Sequence, residues 1–452
     1  MEKNLTGKKP TFKSNGSGAN TYRLLILLIL VLGSFFLLRA LSDKQIRSPF
    51  DPTPVPTRTA NSFVTEAEAR FNAGDLNGSI AAYKQATQLE PQNVQIWSKM
   101  AQIQVYSSNL LTTDDERRTR LQEALSSINQ AVKVAPDDST AHAIRAFVLD
   151  WNSNSALAGD QSDTLLAQAE QEAVQALQLD NQNTLALAYY AEILLDQQKW
   201  MQADQYIQQA IERDPSLMDV HRVNAIVLES FRDYNGAIQE YEKAAEITPN
   251  LTFLYISIGT NYRFLKQYDR ALEYFDKAAR IDDQLQIKDP IPYVAIGKTY
   301  TQTGDFLVAS LNMRKALTYN PYSPDLYGQL GIVYFHARNY ETAILALKCA
   351  VRGCTAQESC DLRQCDPATD PQVTVQGLPL SDNTVVYYYT YGSVLTGMHT
   401  PTSDKCTEAV QVLAEVRAKY ADDADIMSIV QANEQVCASF GITYNGAAGK
   451  SK

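Results

Sequence analysis

Residues 255–283 read YISIGTNYRFLKQYDRALEYFDKAARIDD. Tyr255, Ile258, Gly259 and Tyr262 have the spacing of one helix face, and Ala271, Phe275 and Ala278 that of another. Lys266–Asp269 reads as the turn between them, and Asp283 as the stop. The pattern returns as Tyr293, Ile296, Gly297, Tyr300, then Ala309, Met313, Ala316 and Pro321. It returns again as Tyr327, Leu330, Gly331, Tyr334, then Ala343, Leu347, Ala350 and Thr355. Pro215, Pro249 and Asp283 fall 34 residues apart, as do Pro321 and Thr355. Gly or Ala at 191, 225, 259, 297 and 331 lets the first helix approach the second, where Ala203, Ala237, Ala271, Ala309 and Ala343 do the same. One such hairpin cannot bury its apolar face alone, so neighbours must stack into one array.

Earlier units are looser. Phe63, Ala67, Ser79, Tyr83, Ala86 and Pro91 make a first. Trp97, Met100, Ala101, Ala124, Ile128, Ala131 and Pro136 make a second. His142, Ala146, Leu149, Ala169, Ala173 and Ala176 make a third, ending near Asn181. Stops at 91, 136 and 181 are 45 apart, 11 more than the period. The polar stretches SSNLLTTDDERR and WNSNSALAGDQSD place the extra residues in turns inside those units, and QLQIKDP carries a smaller excess of 4. Eight units are readable between 60 and 355.

A 34-residue period with two amphipathic helices per unit resembles the tetratricopeptide repeat (TPR) family. The resemblance implies an all-α fold, an α-solenoid coiled as a right-handed superhelix, with a concave side built from first helices. Family members typically hold a peptide or partner helix there. The groove-facing side chains expected here are Phe253, Ile256, Arg263 and Phe264, then Val294, Lys298 and Thr301, then Phe335 and His336. The family's Lys and Asn clamp for two carboxylates is not visible, so capture of a free C-terminus is not implied.

The front of the chain has a different character. LLILLILVLGSFFLL, Leu24 to Leu38, holds no charge. As a helix it spans about 22 Å, short of the roughly 30 Å hydrocarbon core, but Arg23 and Arg39 bracket it and Ala40 and Leu41 extend it. The expected order is a cytoplasmic tail over 1–23, a transmembrane helix over 24–41 and a linker over 42–59 with prolines at 49, 52, 54 and 56. The body then lies outside the cytoplasm. A cleaved leader is the alternative, with Ala40 and Ser42 as a small-x-small site, which would make the body secreted. The long tail and Arg39 favour the uncleaved, single-pass membrane anchor.

All six cysteines lie in the final quarter: Cys349, Cys354, Cys360, Cys365, Cys406 and Cys437. A Cys-containing loop is expected over 356–384, then a divergent ninth helix pair and a closing helix over 385–440, and a disordered tail over 441–452. Cys406 and Cys437 are equidistant from the turn at Asp422–Asp423, so an antiparallel pair would bring their sulfurs opposite each other. That disulfide closes a loop worth roughly 3 kcal/mol in the chain-entropy model. The other four, spaced C-x4-C-x5-C-x4-C, leave three disulfide connectivities, zinc or free thiols open; an exported chain favours disulfides.

The chemistry-bearing residues are sparse. The four histidines, 142, 221, 336 and 399, fall in different units, and His142 and His221 occupy the Tyr or Trp position of their neighbours. No phosphate loop, nucleophile elbow or zinc-protease motif is present. Asp pairs at 114–115, 137–138, 282–283 and 422–423 read as helix-boundary caps. Asn77-Gly78-Ser79 and Asn250-Leu251-Thr252 match the glycosylation pattern. The net charge is −11, and residues 1–23 contribute +4, leaving a body of −15 that is a poor nucleic-acid binder. No catalytic residue, cofactor or metal is assigned. The expectation is a membrane-anchored, extracytoplasmic, non-catalytic TPR scaffold that binds protein partners in the assembly or maintenance of an envelope complex. A homo-oligomer is compatible with it. The alternative is a glycan-binding or enzymatic protein using a Tyr-rich surface around TVVYYYTYGSVL.

Overall fold

The computed structural model describes residues 20–42, 58–111, 113–366 and 368–443. The proline-rich stretch 43–57, most of the N-terminal tail and the last residues 444–452 lie outside the described residues. The chain divides into two compact units, Met1–Arg58 and Thr59–Lys452. The described part of the first is the apolar helix α1 (Thr21–Ser42), longer at both ends than the uncharged run.

The second unit is a stack of helix pairs, and among the described residues it holds no strand, only two isolated bridges. The first two pairs are α2 (Ala60–Asn72) with α3 (Leu76–Leu89) and α4 (Val94–Ser108) with α5 (Asp114–Val134). The third is α6 (Ser139–Asn152) with α8 (Ser162–Leu179), separated by the single turn α7 (Ser155–Ala158). Then follow α9 (Thr184–Asp196) with α10 (Trp200–Arg213), α11 (Met218–Ser230) with α12 (Tyr234–Ile247), and α13 (Thr252–Phe264) with α14 (Tyr268–Gln284). The seventh and eighth pairs are α15 (Ile291–Thr303) with α16 (Phe306–Tyr319) and α17 (Pro324–His336) with α18 (Tyr340–Val351). After α19 (Ala356–Arg363) come α20 (Val385–Gly397), α21 (Cys406–Lys419) and α22 (Ala424–Ser439).

Each pair closes where the small residues sit. A Cβ on Gly259 would lie 2.5 Å from the Phe275 ring, and one on Gly331 2.6 Å from Leu347. Ala271 and Ala343, opposite them, are fully buried. Short polar side chains start the helices: Asn93, Asp138, Asn183, Ser323 and Asp423 each accept a backbone N–H of the first turn. A second device pins five of the first helices to the proline before them. Trp97 Nε1 donates to the Pro91 carbonyl (3.0 Å), and the hydroxyls of Tyr255 and Tyr327 donate to those of Pro249 (2.7 Å) and Pro321 (3.2 Å). His142 and His221 make the same link with Nε2, to Pro136 and Pro215, while Nδ1 meets Glu172 or Glu240 at 2.6 Å. Both rings are therefore packing and tethering groups, replacing Tyr with another planar donor.

The extra residues of the second and third units are not all in turns. The connection 109–113 is short, and α5 is 21 residues long because DDERR forms added helical turns, started by a Thr113–Glu116 capping box. In the third unit the excess becomes α7, a 3₁₀ turn over Gly159–Gln161 and a lengthened α8. Asp282 and Asp283 lie inside α14 instead of ending it, and Asp282 is buried. The stretch expected as a loop over 356–384 contains α19, capped by Thr355 and Glu358.

The array also meets itself across one turn of its coil. Asn250 Nδ2, before α13, donates to the Asn72 carbonyl at the end of α2 (2.8 Å). Gly74, with φ +85°, fits under it: a Cβ there would lie 2.8 Å from Leu285 and 2.9 Å from Asn250.

Candidate functional site

First helices line the inner side of the stack, and in its early part their side chains meet one another. Gln102 and Tyr106 of α4 reach Asp219 of α11, as does Tyr189 of α9. Arg222 donates to Asp219 Oδ1 (3.0 Å) and forks onto both Glu192 oxygens at 2.7 Å. Phe147 of α6 stacks on Tyr189 at 4.4 Å and lies under the Arg222 guanidinium at 5.3 Å. All these groups are buried. Burial disfavours a charge on Arg222, yet Glu192 and Asp219 hold its pKa well above the usual value. Burial and the Asp219 charge push the Tyr106 hydroxyl well up. Beside this cluster Asp150 and Asp196 share a small cavity with Glu192, and burial raises both carboxyls, Asp196 to about 6. None of this network was named from the sequence; polar residues such as Gln102 and Asp219 at groove positions of first helices were the signal for it.

The nine groove residues divide between that filled region and an open one. Phe253 is half-buried, its ring 6.1 Å from Tyr106 at the edge of the network. Ile256 is half-buried too and lines with Phe253 a cavity of about 280 Å³ that Asn109 and Leu110 of the second unit help enclose. Val294 lines a larger one of about 480 Å³, with Thr113 and Arg117 on one wall and Pro324 and Leu326 on another. Asn109 and Leu110 on one side and Thr113, Asp114 and Arg117 on the other therefore border two cavities of the inner face. Phe264 is 58% exposed and stacks on Tyr234 at 5.1 Å. His336 is exposed and stacks on Phe306 at 6.1 Å, while Phe335 is half-buried against Tyr340. The Thr301 hydroxyl is turned back onto the Gly297 carbonyl (2.8 Å).

Arg263 and Lys298 differ from their surroundings. Arg263 lies over Phe275 at 5.8 Å and its Nη1 is buried with no hydrogen-bond partner. Burial alone lowers its pKa. Lys298 is exposed on the inner side yet crowded by protein, which lowers its pKa; Asp325 opposes that shift and Arg263 adds to it. A further cavity, about 650 Å³, lies earlier in the stack among α2, α4, α6 and α9, with Lys99, Gln102 and Ser98 on its wall. The sequence reading missed it by following only the three most regular units.

The six cysteines stand at disulfide distance in three pairs: Cys349 with Cys354, Cys360 with Cys365, and Cys406 with Cys437, with Cα–Cα separations of 4.7, 5.0 and 5.5 Å. The tyrosines of TVVYYYTYGSVL do not form a surface. Tyr387, Tyr388 and Tyr391 are buried and donate to Asp325 (2.6 Å), the Leu378 carbonyl (2.7 Å) and Glu408 (2.7 Å). That removes the feature on which the glycan-binding or enzymatic alternative rested.

Helix α1 is long and apolar enough to cross a membrane, a test that a signal sequence also passes. No curated protein matches the chain in sequence. Among solved structures, a tetratricopeptide repeat protein from Parabacteroides merdae is similar at 18% identity and a TM-score of 0.36, covering 61% of this chain and 98% of its own. A thermophilic TPR protein of Thermus thermophilus is similar at 13% and 0.37, covering 45% and 98%. The Cut9–Hcn1 hetero-tetramer of the APC/C is similar at 15% and 0.42, covering 91% and 76%. A model described as a TPR repeat matches residues 67–105, and models described as tetratricopeptide repeat match 190–251, 254–285 and 292–323. With these matches falling on successive helix pairs of one α-solenoid, the chain is a tetratricopeptide repeat protein.

Proposed function

We propose that the chain is a non-catalytic scaffold, anchored in a cell membrane by α1, with its N-terminus cytoplasmic and its repeat body outside. A protein partner binds as a peptide or helix on the inner face of units six to eight. One observation carries this choice of face: Phe264, Lys298 and His336 are exposed there, while Gln102, Tyr106, Tyr189 and Arg222 of earlier first helices are consumed by the buried network. Exposed Phe264 and His336 offer apolar contact area at low ordering cost. The pairing of all six cysteines supports an oxidising compartment, and so an exported body in an envelope complex.

Two measurements test this reading. The full chain, solubilised with mild detergent, is used to capture partners from a membrane extract, beside a variant carrying Phe264→Ala and His336→Ala. Retention of every partner by a folded variant rejects the face. Alkylation of the native, unreduced protein tests the compartment: no thiol is expected to react, and six reactive thiols reject an exported body.

A further inference from the structure

We propose that the cavity between the ends of α6 and α9 is a binding site for a small primary alkylamine, held as its ammonium. The inference goes beyond the partner face of units six to eight and does not depend on it.

The cavity, about 240 Å³, is lined by Asp150 and Trp151 of α6, by Glu192, Leu195 and Asp196 of α9, and by Ile226 of α11. Its charges are out of balance. The cation beside it, Arg222, is already engaged, forking onto Glu192 and donating to Asp219. Among the described residues no cation pairs with Asp150 or Asp196. Asp150 is 4% exposed, and its Oδ1 is buried with no hydrogen-bond partner. A carboxyl so placed has lost its hydration and regains nothing unless a donor completes it. Asp196 beside it is exposed, so the pair can be reached from solvent. The charged groups facing Asp150 are Asp196, Glu192 and Arg222. Burial first, and then the facing acids, raise both aspartates, as expected for negative charge without a counter-ion. Helices α6 and α9 also end here, and the partial negative charge of a helix C-terminus favours a cation.

The lining selects the kind of cation. A metal ion needs several oxygens converging on one point, and among the described residues no group of three His, Cys, Asp or Glu is placed to hold one. Leu195, Ile226 and the Trp151 ring instead form an apolar wall beside the carboxyls, which suits a hydrocarbon stem. An ammonium brings three N–H donors to carboxyl oxygens, and an indole ring beside it adds attraction. A protein segment is a poor source of that ammonium, because the inner face of these units is filled by Gln102, Tyr106, Tyr189 and Arg222. A free amine a few carbons long fits both the wall and the acids.

The test titrates the full chain, in a non-ionic detergent, with pentylamine by calorimetry. At about pH 8 the amine is protonated and saturable binding is expected. Asp150→Asn and Asp196→Asn should each weaken it about tenfold. Asp196 is exposed, so its variant is expected to fold even where Asp150→Asn does not. Asp160→Asn, at an exposed position outside the cavity, should leave binding unchanged. Binding should weaken towards about pH 5, where protons compete for the same carboxyls. No binding by the wild type, equal binding by Asp196→Asn, or equal binding of pentanol overturns the site. An equal loss with Asp160→Asn also overturns it, marking diffuse attraction to an acidic surface. Displacement of pentylamine by equimolar calcium would assign the carboxyls to a metal ion instead. Tighter binding of Nα-acetyl-lysine amide than of pentylamine would assign them to a partner's side chain, and either result overturns the free amine.

Discussion

Units two to five and units six to eight are built from the same helix pair, and they treat the inner face in opposite ways. In the earlier group, side chains from α4, α6, α9 and α11 meet in a buried network around Asp219 and Arg222. In the later group the equivalent helices leave Phe264, Lys298 and His336 exposed, and among the described residues no carboxylate pairs with Arg263 or Lys298. Pair geometry is the same in both, since Ala203 and Ala237, like Ala271 and Ala343, are fully buried at the closing contact. The repeat therefore sets the stack, and a separate set of side chains decides whether the space inside is filled or left for another chain.

The largest expected effect is on the filled side. Arg222→Leu leaves Glu192 and Asp219 buried without their cation, and should cost about 3–5 kcal/mol in urea unfolding. The contrasting surface change is Arg417→Leu in the C-terminal helices, which breaks the half-exposed ion pair with Glu434 between α21 and α22. It should cost no more than about 1 kcal/mol. Equal costs for the two would remove the distinction between a structural network and a surface one.

The C-terminal end is stabilised by other means. Replacing Cys406 and Cys437 together by Ser should cost roughly 3 kcal/mol, since the pair closes a loop with sequence separation 31. Contacts in a solenoid run mainly between neighbours, so hydrogen exchange should quicken in α20 to α22 and stay unchanged around Asp219. Quickening throughout would show one cooperative body and weaken the contrast.

These differences were unequally visible in the sequence. Gly259, Gly297 and Gly331 announced the helix pairs because close approach leaves no room for a larger residue, a local requirement that repeats with the period. His142 and His221 were legible as stand-ins for Tyr by position alone, though their bonds to proline carbonyls were not. The network at Asp219 was hidden because its members lie as far as 117 residues apart and come together only when the coil curves. DDERR read as a turn because its charges suit solvent, but a capping box and acids in a first turn also favour a helix. The unpaired state of Arg263 and Lys298 was beyond reach for the same reason as the network: a missing partner is a statement about distance.

At the end of unit six, burial first and then the Asp289 charge push Asp282 up to about 8, from an ordinary 3.8. Between those values the folded chain holds a proton that the unfolded chain has released. Stability should therefore be greatest in acid, fall as pH rises through that window and level off above it. Asp282→Asn removes the loss. It should stabilise the fold by on the order of 2 kcal/mol at about pH 9 and by far less at about pH 5, measured by thermal unfolding in matched buffers. A pH profile unchanged by the substitution would show that Asp282 is ionised and solvated in the native state.

The smallest expected stability effect carries the most weight for function. Phe264→Ala with His336→Ala removes two exposed rings, whose ring contacts are with Tyr234 for the first and with Phe306 and Phe335 for the second. Each change should move unfolding by no more than about 0.5 kcal/mol. Their spacing across units six and eight means a bound segment would span all three later units, so losing both ends should weaken capture more than either alone. Loss of capture with the melting curve unchanged would separate a binding surface from a structural one. A drop in stability comparable to that of Arg222→Leu would instead place these rings in a closed interior like the earlier one, and the two halves of the stack would then differ only in degree.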